Sequence, residues 1–202
     1  MVNVWYNIFV MGINKLEEIA SSIKKFNSSV QTQIVHLKKH SEPLLMVFTS
    51  TTHRNVMVFD ANHGLNEIGV IRYSLWPNSL FISEFEVSES AQGAGVGRLM
   101  FNFAAAHADA VGCTSLYGYA KPTNAIKGVS VEGKDCYAQE LEALIKIYEK
   151  LGCSFDAPEN QNSMDKKFTL GWQPSERYSA LPSEQLDMLK RVVEHEKQRG
   201  LK

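Results

Sequence analysis

The residues of this chain best placed to do chemistry form a glycine-rich turn between a strand-like run and a helix-like run. Gly93, Gly95 and Gly97 alternate with other residues, and Gln92 precedes them. Glycines keep side chains away from a ligand and allow backbone angles that other residues avoid. The first amides of a helix lack internal partners and carry the positive end of the helix dipole, so they favour a bound anion. The stretch predicts that a pyrophosphate binds the backbone amides from Gly93 to Arg98.

Two familiar phosphate-binding loops do not fit this turn. A P-loop requires Gly-Lys followed by Ser or Thr, whereas Arg98 and Leu99 follow the last glycine. A dinucleotide-binding turn requires the spacing GxGxxG and an acidic residue about 20 positions later. Here the spacing is GxGxG, and the run from Tyr117 to Ala120 contains no acid. The turn therefore belongs to neither of these two classes.

The elements around the turn have an order typical of a mixed domain. Apolar periodicity predicts helices over Ile13 to Phe26, Val96 to Val111 and Tyr137 to Leu151, and a last helix that starts at Pro182. Strand-like runs cover Val30 to Leu37, Leu44 to Ser50, Val56 to Asp60, Glu67 to Leu75, Leu80 to Val87, Ser115 to Ala120, Cys153 to Phe155 and Lys167 to Trp172. One helix, several strands and then alternating helix and strand predict an α+β, or mixed α/β, fold in one domain.

Composition and charge exclude several classes of protein. With 44% hydrophobic and 21% charged residues, the 202-residue chain resembles a globular domain rather than a disordered or coiled-coil protein. The 21 Lys and Arg against 22 Asp and Glu give a net charge of -1, so there is no strong signal for a nucleic-acid partner. No apolar run approaches the roughly 20 residues that span a bilayer, so we expect no membrane partner.

Cysteine and histidine spacing predict neither a disulfide framework nor a metal site. Cys113, Cys136 and Cys153 are an odd number and form no CxxC pair, so reduced thiols in a cytoplasmic protein are the simplest interpretation. The histidines of the first 63 residues lack ligand spacing with any Cys or Asp pair, and we therefore expect no metal.

Two short stretches resemble one known family. Gln92-x-x-Gly95-x-Gly97, after a strand ending at Val87, looks like the coenzyme A pyrophosphate motif of the GNAT superfamily of N-acetyltransferases, Gln/Arg-x-x-Gly-x-Gly/Ala. The stretch from Ile147 to Phe155 resembles the later family signature Leu-Tyr-x-Lys-x-Gly-Phe. Both motifs occur in the family's order, each on its expected element, and the resemblance covers roughly Leu44 to Trp172.

The resemblance implies a GNAT-like fold, in which a central, mostly antiparallel splayed sheet is flanked by helices. Residues 1–180 would form the acetyltransferase domain, with an inserted loop at 121–135 that would act as a lid or bind the acceptor. Residues 181–202 would add a C-terminal helical extension, and we predict that its charged end, Glu194 to Lys202, frays as a solvated helix end. A homodimer would follow only from the habit of the family.

The resemblance also implies roles for individual residues. In the family, acetyl-CoA slots into a gap beside a splayed strand, which here would end at Val87 and hydrogen-bond the pantetheine arm. Tyr148 would lie near the coenzyme sulfur and protonate the departing thiolate, while a primary amine attacks the thioester directly. The pyrophosphate would be held by the amides of Gln92, Gly93, Ala94, Gly95, Val96, Gly97 and Arg98.

A base for this reaction is predicted from chemistry. An amine must lose a proton before it attacks, and a carboxylate, or a water held by one, is the usual base. Glu84 and Glu86 share one face of the strand that leads to the turn, because strand side chains alternate. We predict Glu84 as the base, since Glu86 lies nearer the coenzyme path, although a β-bulge there would change the facing.

The sequence departs from the family pattern and leaves alternatives open. Leu141 stands where an Asn often begins the later helix, Asn124 is separated from that helix by the insertion, and Cys153 stands where Phe is commoner. Tyr148 is alternatively a core aromatic residue, and His107 fits a core or surface position on its helix better than a catalytic role.

Three functions remain open on the sequence alone. The first is acetyl transfer to the amine of a small molecule or a protein. The second is an acyl-CoA-binding or protein-interaction module without turnover. The third is a nucleotide-binding protein unrelated to coenzyme A. The acceptor itself is not readable, because acceptor pockets are built from variable loops.

Overall fold

The computed structural model describes residues 14–25, 27, 30–50, 53–60, 66–122, 134–155 and 166–200. Asn124, most of the predicted insertion and the polar stretch at 156–165 lie outside the described residues. No helix in the described ranges combines the length and the apolar character needed to cross a membrane.

The described residues form five α-helices, one short 3-10 helix at Glu89–Ala91 and eight strands. The helices are α1 (residues 14–25), α2 (Val96–Ala110), α3 (Lys134–Lys150), α4 (Glu176–Ser179) and α5 (Ser183–Gln198). The strands are β1 (Gln31–Val35), β2 (Leu44–Ser50), β3 (Arg54–Asp60), β4 (Asn66–Leu75), β5 (Ser79–Val87), β6 (Ser115–Ala120), β7 (Ser154–Phe155) and β8 (Lys166–Gly171). Each predicted run corresponds to one of these elements, whereas the single turn α4 was not predicted.

Helix α3 begins earlier than the sequence analysis predicted. Its first residue is Lys134, so the predicted loop at 121–135 overlaps the start of the helix. The reason lies in the sequence, because Gly133 is the last glycine or proline before Gly152 and nothing between them interrupts a helix.

The strands form one sheet in the order β1-β2-β3-β4-β5-β6-β8-β7. All neighbouring strands are antiparallel except β5 and β6, which run parallel. This is the predicted mixed α+β fold with a mostly antiparallel sheet. Helices pack on both faces of the sheet, and β2 is buried on both sides.

Strands β5 and β6 pair over only part of their length. Ser79 to Phe81 pair with Ser115 to Tyr117, yet β5 continues to Val87 and β6 to Ala120. Beyond Phe81 and Tyr117 no further residues of the two strands are paired, which is the splay that the resemblance implied. Ile82 and Gly118 are still close to each other, so the gap lies between residues 83–87 of β5 and residues 119–120 of β6.

A β-bulge in β5 determines which side chains beside the gap point toward α2 and which point to the opposite face of the sheet. Arg72 pairs with Glu84 and Tyr73 with Ile82, so Ser83 has no partner residue on β4. Because a bulge shifts the alternation by one residue, Ile82 and Phe85 both point toward α2. Glu84 points to the opposite face. Glu84 and Glu86 share a face as predicted, because both lie after the bulge.

The main core lies between the sheet and α2, with α5 packed beside it. Leu44, Met46 and Phe48 of β2 contribute to this core together with residues of α2 and α5. The alternate residues of β2, Leu45 and Val47, pack with α1 on the other face. This arrangement places the beginning of α2 at the end of β5, where the glycine turn lies.

The charged end of α5 is ordered, contrary to the prediction that it frays. The helix continues to Gln198, and Glu196 is only 2% exposed. Glu196 follows Met188 and Val192 at intervals of four residues, so it lies on the apolar stripe of the helix. Its carboxylate accepts hydrogen bonds from Arg54, Ser50 and His107. These bonds offset the free-energy cost of burying the charge.

Candidate functional site

The glycine turn has the backbone conformation that only glycine adopts without strain. Gly93 has φ 76° and Gly95, the N-cap of α2, has φ 99°. Both lie in the left-handed region, where a side chain would clash with the backbone. The turn begins at Ser88, whose amide donates to the Ile68 carbonyl of β4 over 3.0 Å. The glycines therefore fix the path by which β5 enters α2.

Several amides at the head of α2 have no hydrogen-bond acceptor among the described residues. The first hydrogen bond of the helix joins the Leu99 amide to the Gly95 carbonyl at 3.0 Å. Within the described residues, no backbone carbonyl accepts a hydrogen bond from five amides: Gly93, Gly95, Val96, Gly97 and Arg98. No side chain caps the helix either. These amides combine with the positive end of the helix dipole to form a site for an anion.

Two amides of the predicted cradle are used inside the turn instead. The Gln92 amide donates to the Glu89 carbonyl and the Ala94 amide to the Ala91 carbonyl, both over 3.3 Å. Gln92 is exposed, while Ala94 is half-buried against the core. The structure thus narrows the free donors to the three glycines and the two residues Val96 and Arg98.

Gly97 allows α2 to approach β5 closely. A Cβ atom at this position would lie 3.3 Å from the side chains of both Phe85 and Val87. Such a distance is tighter than ordinary van der Waals contact, so a larger residue would push the helix from the strand. The close approach brings the free amides to the end of the unpaired edge of β5.

Tyr148 lies beside the gap on the α2 face of the sheet. Its ring stacks on Phe168 of β8, with centroids 3.9 Å apart and an interplanar angle of 21°, and lies 6.1 Å from the Phe85 ring of β5. The side chain is only 6% exposed, and burial raises the pKa of its hydroxyl well above the ordinary value. The Tyr148 ring therefore spans from β5 to β8, and its raised pKa keeps the hydroxyl protonated at neutral pH.

Arg98 connects the head of α2 to the end of α3. Its guanidinium donates from Nη2 to the Lys150 carbonyl over 3.5 Å, while its own amide is one of the free donors. Since Tyr148 lies in the last turn of α3, this contact holds the helix of Tyr148 against the glycine turn.

Glu84 lies on the other side of β5 from Tyr148. Its carboxylate forms an ion pair with Arg72 on the neighbouring strand, and the two side chains are 30% and 47% exposed. Phe85 points toward Tyr148, so Glu84, the adjacent residue, points away. The two predicted catalytic residues therefore approach the gap from opposite faces and do not touch. Glu86 lies on the same face as Glu84 and is exposed.

The site is a strand edge and a helix end rather than an enclosed cavity. Two surface hollows of about 410 and 440 Å³ lie along α5, away from the glycine turn. By contrast, the gap offers the unpaired backbone groups of β5, which can hydrogen-bond an extended ligand as a neighbouring strand would. Among the described residues, no group of three or more His, Cys, Asp or Glu side chains could hold a metal ion.

Trp172 and two cysteine residues outside the gap have packing roles. The Trp172 Nε1 donates to the Cys113 carbonyl over 3.0 Å, and both side chains are buried. Cys113 and Cys153 are free and buried.

The family follows from a comparison of the sequence with family models. The model of the acetyltransferase (GNAT) family matches residues 26–126, which is half of the chain. The matched region contains the sheet strands β1 to β6, the glycine turn and all of α2. The chain belongs to the GNAT acetyltransferase family. Membership supports the assignment of an acyltransferase.

Two solved structures are similar to this chain. A cAMP-binding acyltransferase from Mycobacterium smegmatis is 12% identical and aligns over 89% of this chain and 60% of its own, with a TM-score of 0.57. PaiA N-acetyltransferase from Thermoplasma acidophilum, solved in complex with coenzyme A, is also 12% identical and aligns over 58% of this chain and 60% of its own, with a TM-score of 0.42. The chain thus spans 60% of the length of each. A sequence search of curated proteins gives no match.

Sequence reasoning missed three residues of the site. Phe85 and Phe168 hold the Tyr148 ring, and Arg72 pairs with Glu84. Regular alternation of side chains along β5 would place Phe85 on the face away from α2, and only the bulge at Ser83 turns it toward α2. Arg72 had a usable signal, because an Arg on a strand beside a Glu-bearing strand is a common cross-strand pair.

Proposed function

We propose that this chain transfers the acetyl group of acetyl-CoA to a primary amine. The observation that carries the proposal is the set of free amides at the head of α2, next to the edge of β5 that has left β6. The free amides alone would bind any anion. A phosphate cradle next to an unpaired strand edge suits a ligand with both a pyrophosphate and an extended amide-containing arm.

The residues of this chain fit coenzyme A in the following way. The amides of Gly93, Gly95, Val96, Gly97 and Arg98 would hold the pyrophosphate. The edge of β5 up to Val87 would hydrogen-bond the pantetheine arm. When bound, acetyl-CoA supplies an activated thioester, and the amine nitrogen bonds to its acetyl carbon as the carbon–sulfur bond breaks.

The two predicted catalytic residues serve the two ends of this transfer. In the proposal, Glu84 takes a proton from the amine, directly or through water, on the face of β5 that points away from α2. Tyr148 gives its proton to the departing sulfur on the α2 face. The raised pKa of Tyr148 keeps the hydroxyl protonated at neutral pH, so a donor is always present. Placing base and acid on opposite faces of β5 separates the nucleophile from the leaving group.

A cytoplasmic location is part of the proposal. The free and buried Cys113 and Cys153 suit a reducing compartment. The acceptor would be the amine of a small molecule or of a protein.

The test separates transfer from mere binding. We expect Tyr148→Phe to retain the acetyl-CoA affinity of the wild type, measured by calorimetry, and to lower kcat for thiol release by about 100-fold or more. Phe155→Leu, a change in the same aromatic cluster, serves as a control for packing and should keep most of the turnover. If the wild type binds acetyl-CoA but releases no thiol with any amine, the chain is a binding module.

A further inference from the structure

Beside the gap, the face of the sheet that points away from α2 carries three aromatic side chains. Phe81 of β5 and Tyr117 of β6 end the paired part of the two strands, and their ring centroids lie 5.1 Å apart. Tyr119, two residues further along β6, is 51% exposed. These three residues are called the aromatic platform below. They face away from α2, because the alternate residues Leu80 and Leu116 belong to its core.

The strand register places Glu84 across the gap from Tyr119. The bulge at Ser83 turns Glu84 to the same face as Phe81. Beyond the last paired residues, Glu84 on β5 and Tyr119 on β6 both lie on this face. A carboxylate and an aromatic ring therefore flank the gap on the side opposite Tyr148.

A lysine of the chain already places its ammonium against this platform. The Nζ atom of Lys167 on β8 lies 5.7 Å from the centroid of the Tyr117 ring. The ring quadrupole attracts a cation held over the ring face. The contact therefore demonstrates that the Tyr117 ring offers its face to an ammonium on an unbranched aliphatic stem.

We infer that the aromatic platform binds the acceptor, and that the acceptor is a primary alkylammonium on an unbranched aliphatic stem. The inference rests on the proposed acetyl transfer and adds the class of the amine to it. The ring faces hold the cation, and the Glu84 carboxylate takes one of its three protons. The nitrogen then forms the bond to the acetyl carbon as the carbon–sulfur bond breaks, and the sulfur receives the proton of Tyr148. The nitrogen loses a second proton as the amide forms, this proton returns through water to Tyr148, and Glu84 releases its own proton to solvent. A lysine side chain and a free diamine share this chemistry.

Binding to the platform is measured first, without coenzyme. The probe is pentyltrimethylammonium, which has the cation and the stem but cannot be acetylated, and binding is followed by NMR titration of the full chain. We expect Tyr117→Leu to weaken binding about five-fold, the size of a partly exposed cation–π contact. Trp76→Leu, a change of an exposed aromatic residue outside the platform, should have no effect.

A second variant tests the same surface by a gain. Lys167→Met removes the ammonium that now lies over Tyr117, so the probe should bind more tightly than to the wild type. Equal probe affinity in the wild type, Tyr117→Leu and Lys167→Met would overturn the platform as a cation site, whatever the outcome with coenzyme.

Turnover then separates the sources of the amine. The substrates are 1,5-diaminopentane, Nα-acetyl-lysine amide and alanine amide, each tested with acetyl-CoA. We expect the first two to exceed alanine amide in kcat/KM by about ten-fold or more, and the better of the two identifies the source. Tyr119→Leu should raise their KM about five-fold and leave the KM of acetyl-CoA unchanged.

Failure of this inference is distinct from failure of the proposed function. Preference for alanine amide, or an unchanged amine KM in Tyr119→Leu, would contradict the inference while acetyl transfer stands. Absence of acetyl-CoA binding in calorimetry would remove the proposed function, and the cation titration would still decide whether the platform binds alkylammonium.

Discussion

The two ends of α2 differ in whether their polar groups have hydrogen-bond partners. The first turn, with unpaired amides, is called the open end below, and the last two turns, with His107 and Asp109, are called the closed end. At the first turn, the amides of Val96, Gly97 and Arg98 have no acceptor within the described residues. In the last two turns, every polar side-chain atom of His107 and Asp109 has a partner. His107 bonds the Tyr73 hydroxyl at 2.7 Å and the Glu196 carboxylate at 3.1 Å.

The partners of Asp109 complete this closed end. Its two carboxylate oxygens accept hydrogen bonds from the amides of Ser175 and Tyr178, over 2.7 and 2.9 Å. The closed end therefore ties α2 to α4, to α5 and to the sheet. Satisfied buried polar groups stabilise a fold, whereas unpaired amides at an open end are left for a ligand. The comparison predicts that the two ends can be broken independently.

The largest effect is expected from removing the charge at the centre of the closed end. Glu196→Ala leaves the buried Arg54 without its partner, because the Arg54 Nε donates to Glu196 over 2.9 Å. We expect a loss of about 3–5 kcal/mol in the free energy of unfolding, measured by chemical denaturation. Glu194→Ala, an exposed change on the same helix, is the control and should cost less than about 0.5 kcal/mol.

The coenzyme affinity of the folded Glu196→Ala protein sharpens the comparison. It should equal that of the wild type at a temperature where both are folded, since the glycine turn is unchanged. A loss of affinity as large as the loss of stability would mean that the two ends of α2 act as one unit.

The closed end also predicts how stability depends on pH. Burial alone would raise the pKa of Glu196, but hydrogen bonds from His107, Arg54 and Ser50 hold it at about 2, below the ordinary value of 4.5. The unfolded chain therefore takes up this proton at a higher pH than the folded chain does. The contribution is complete above pH 4.5 and is lost as the pH falls from 4.5 toward 2.

The size of this pH effect is about 3 kcal/mol. Denaturation of the wild type at pH 7, compared with points between about pH 4.5 and 2, should reveal the loss. In Glu196→Gln the carboxylate is absent, so this part of the pH dependence should disappear. Identical pH profiles in the two proteins would show that Glu196 is not the group that titrates.

Asp109 gives the smallest of these effects. Asp109→Ala removes the acceptor of two backbone amides at the beginning of α4, and we expect a loss of about 2 kcal/mol in thermal or chemical unfolding. Asp187→Ala, which removes an exposed ion pair with Lys190 on α5, should cost less than about 0.5 kcal/mol. Equal losses in the two variants would contradict the role of Asp109 as a cap.

The open end of α2 could be predicted from sequence, and the closed end could not. The glycine turn is local, because three glycines and the following helix lie within a few residues and their physics does not depend on the rest of the chain. Glu196 and His107 are 89 positions apart, so no local pattern joins them. A signal did exist, since Glu196 continues the spacing of Met188 and Val192 along the apolar stripe, where a charge requires a buried partner.

The gap between β5 and β6 also could not be predicted from local sequence patterns. Its existence was expected only from the resemblance, because nothing in the composition of β5 or β6 indicates that they separate after Phe81. The bulge at Ser83 was named as a risk but could not be located, since a single extra residue leaves no mark in a strand pattern. For that reason Phe85 was not recognised as the neighbour of Tyr148.

The most direct test of the open end compares two glycines of the same conformation. Gly95 at the head of α2 has φ 99°, and Gly112 just after its end has φ 94°, so a glutamate introduces similar backbone strain and the same charge at both. Arg98→Glu adds a further variant without strain, because this side chain is exposed. Calorimetry with coenzyme A should show affinity reduced by about 100-fold or more in Gly95→Glu, and unchanged in Gly112→Glu. Equal affinity in these two proteins would contradict binding of the pyrophosphate at the head of α2.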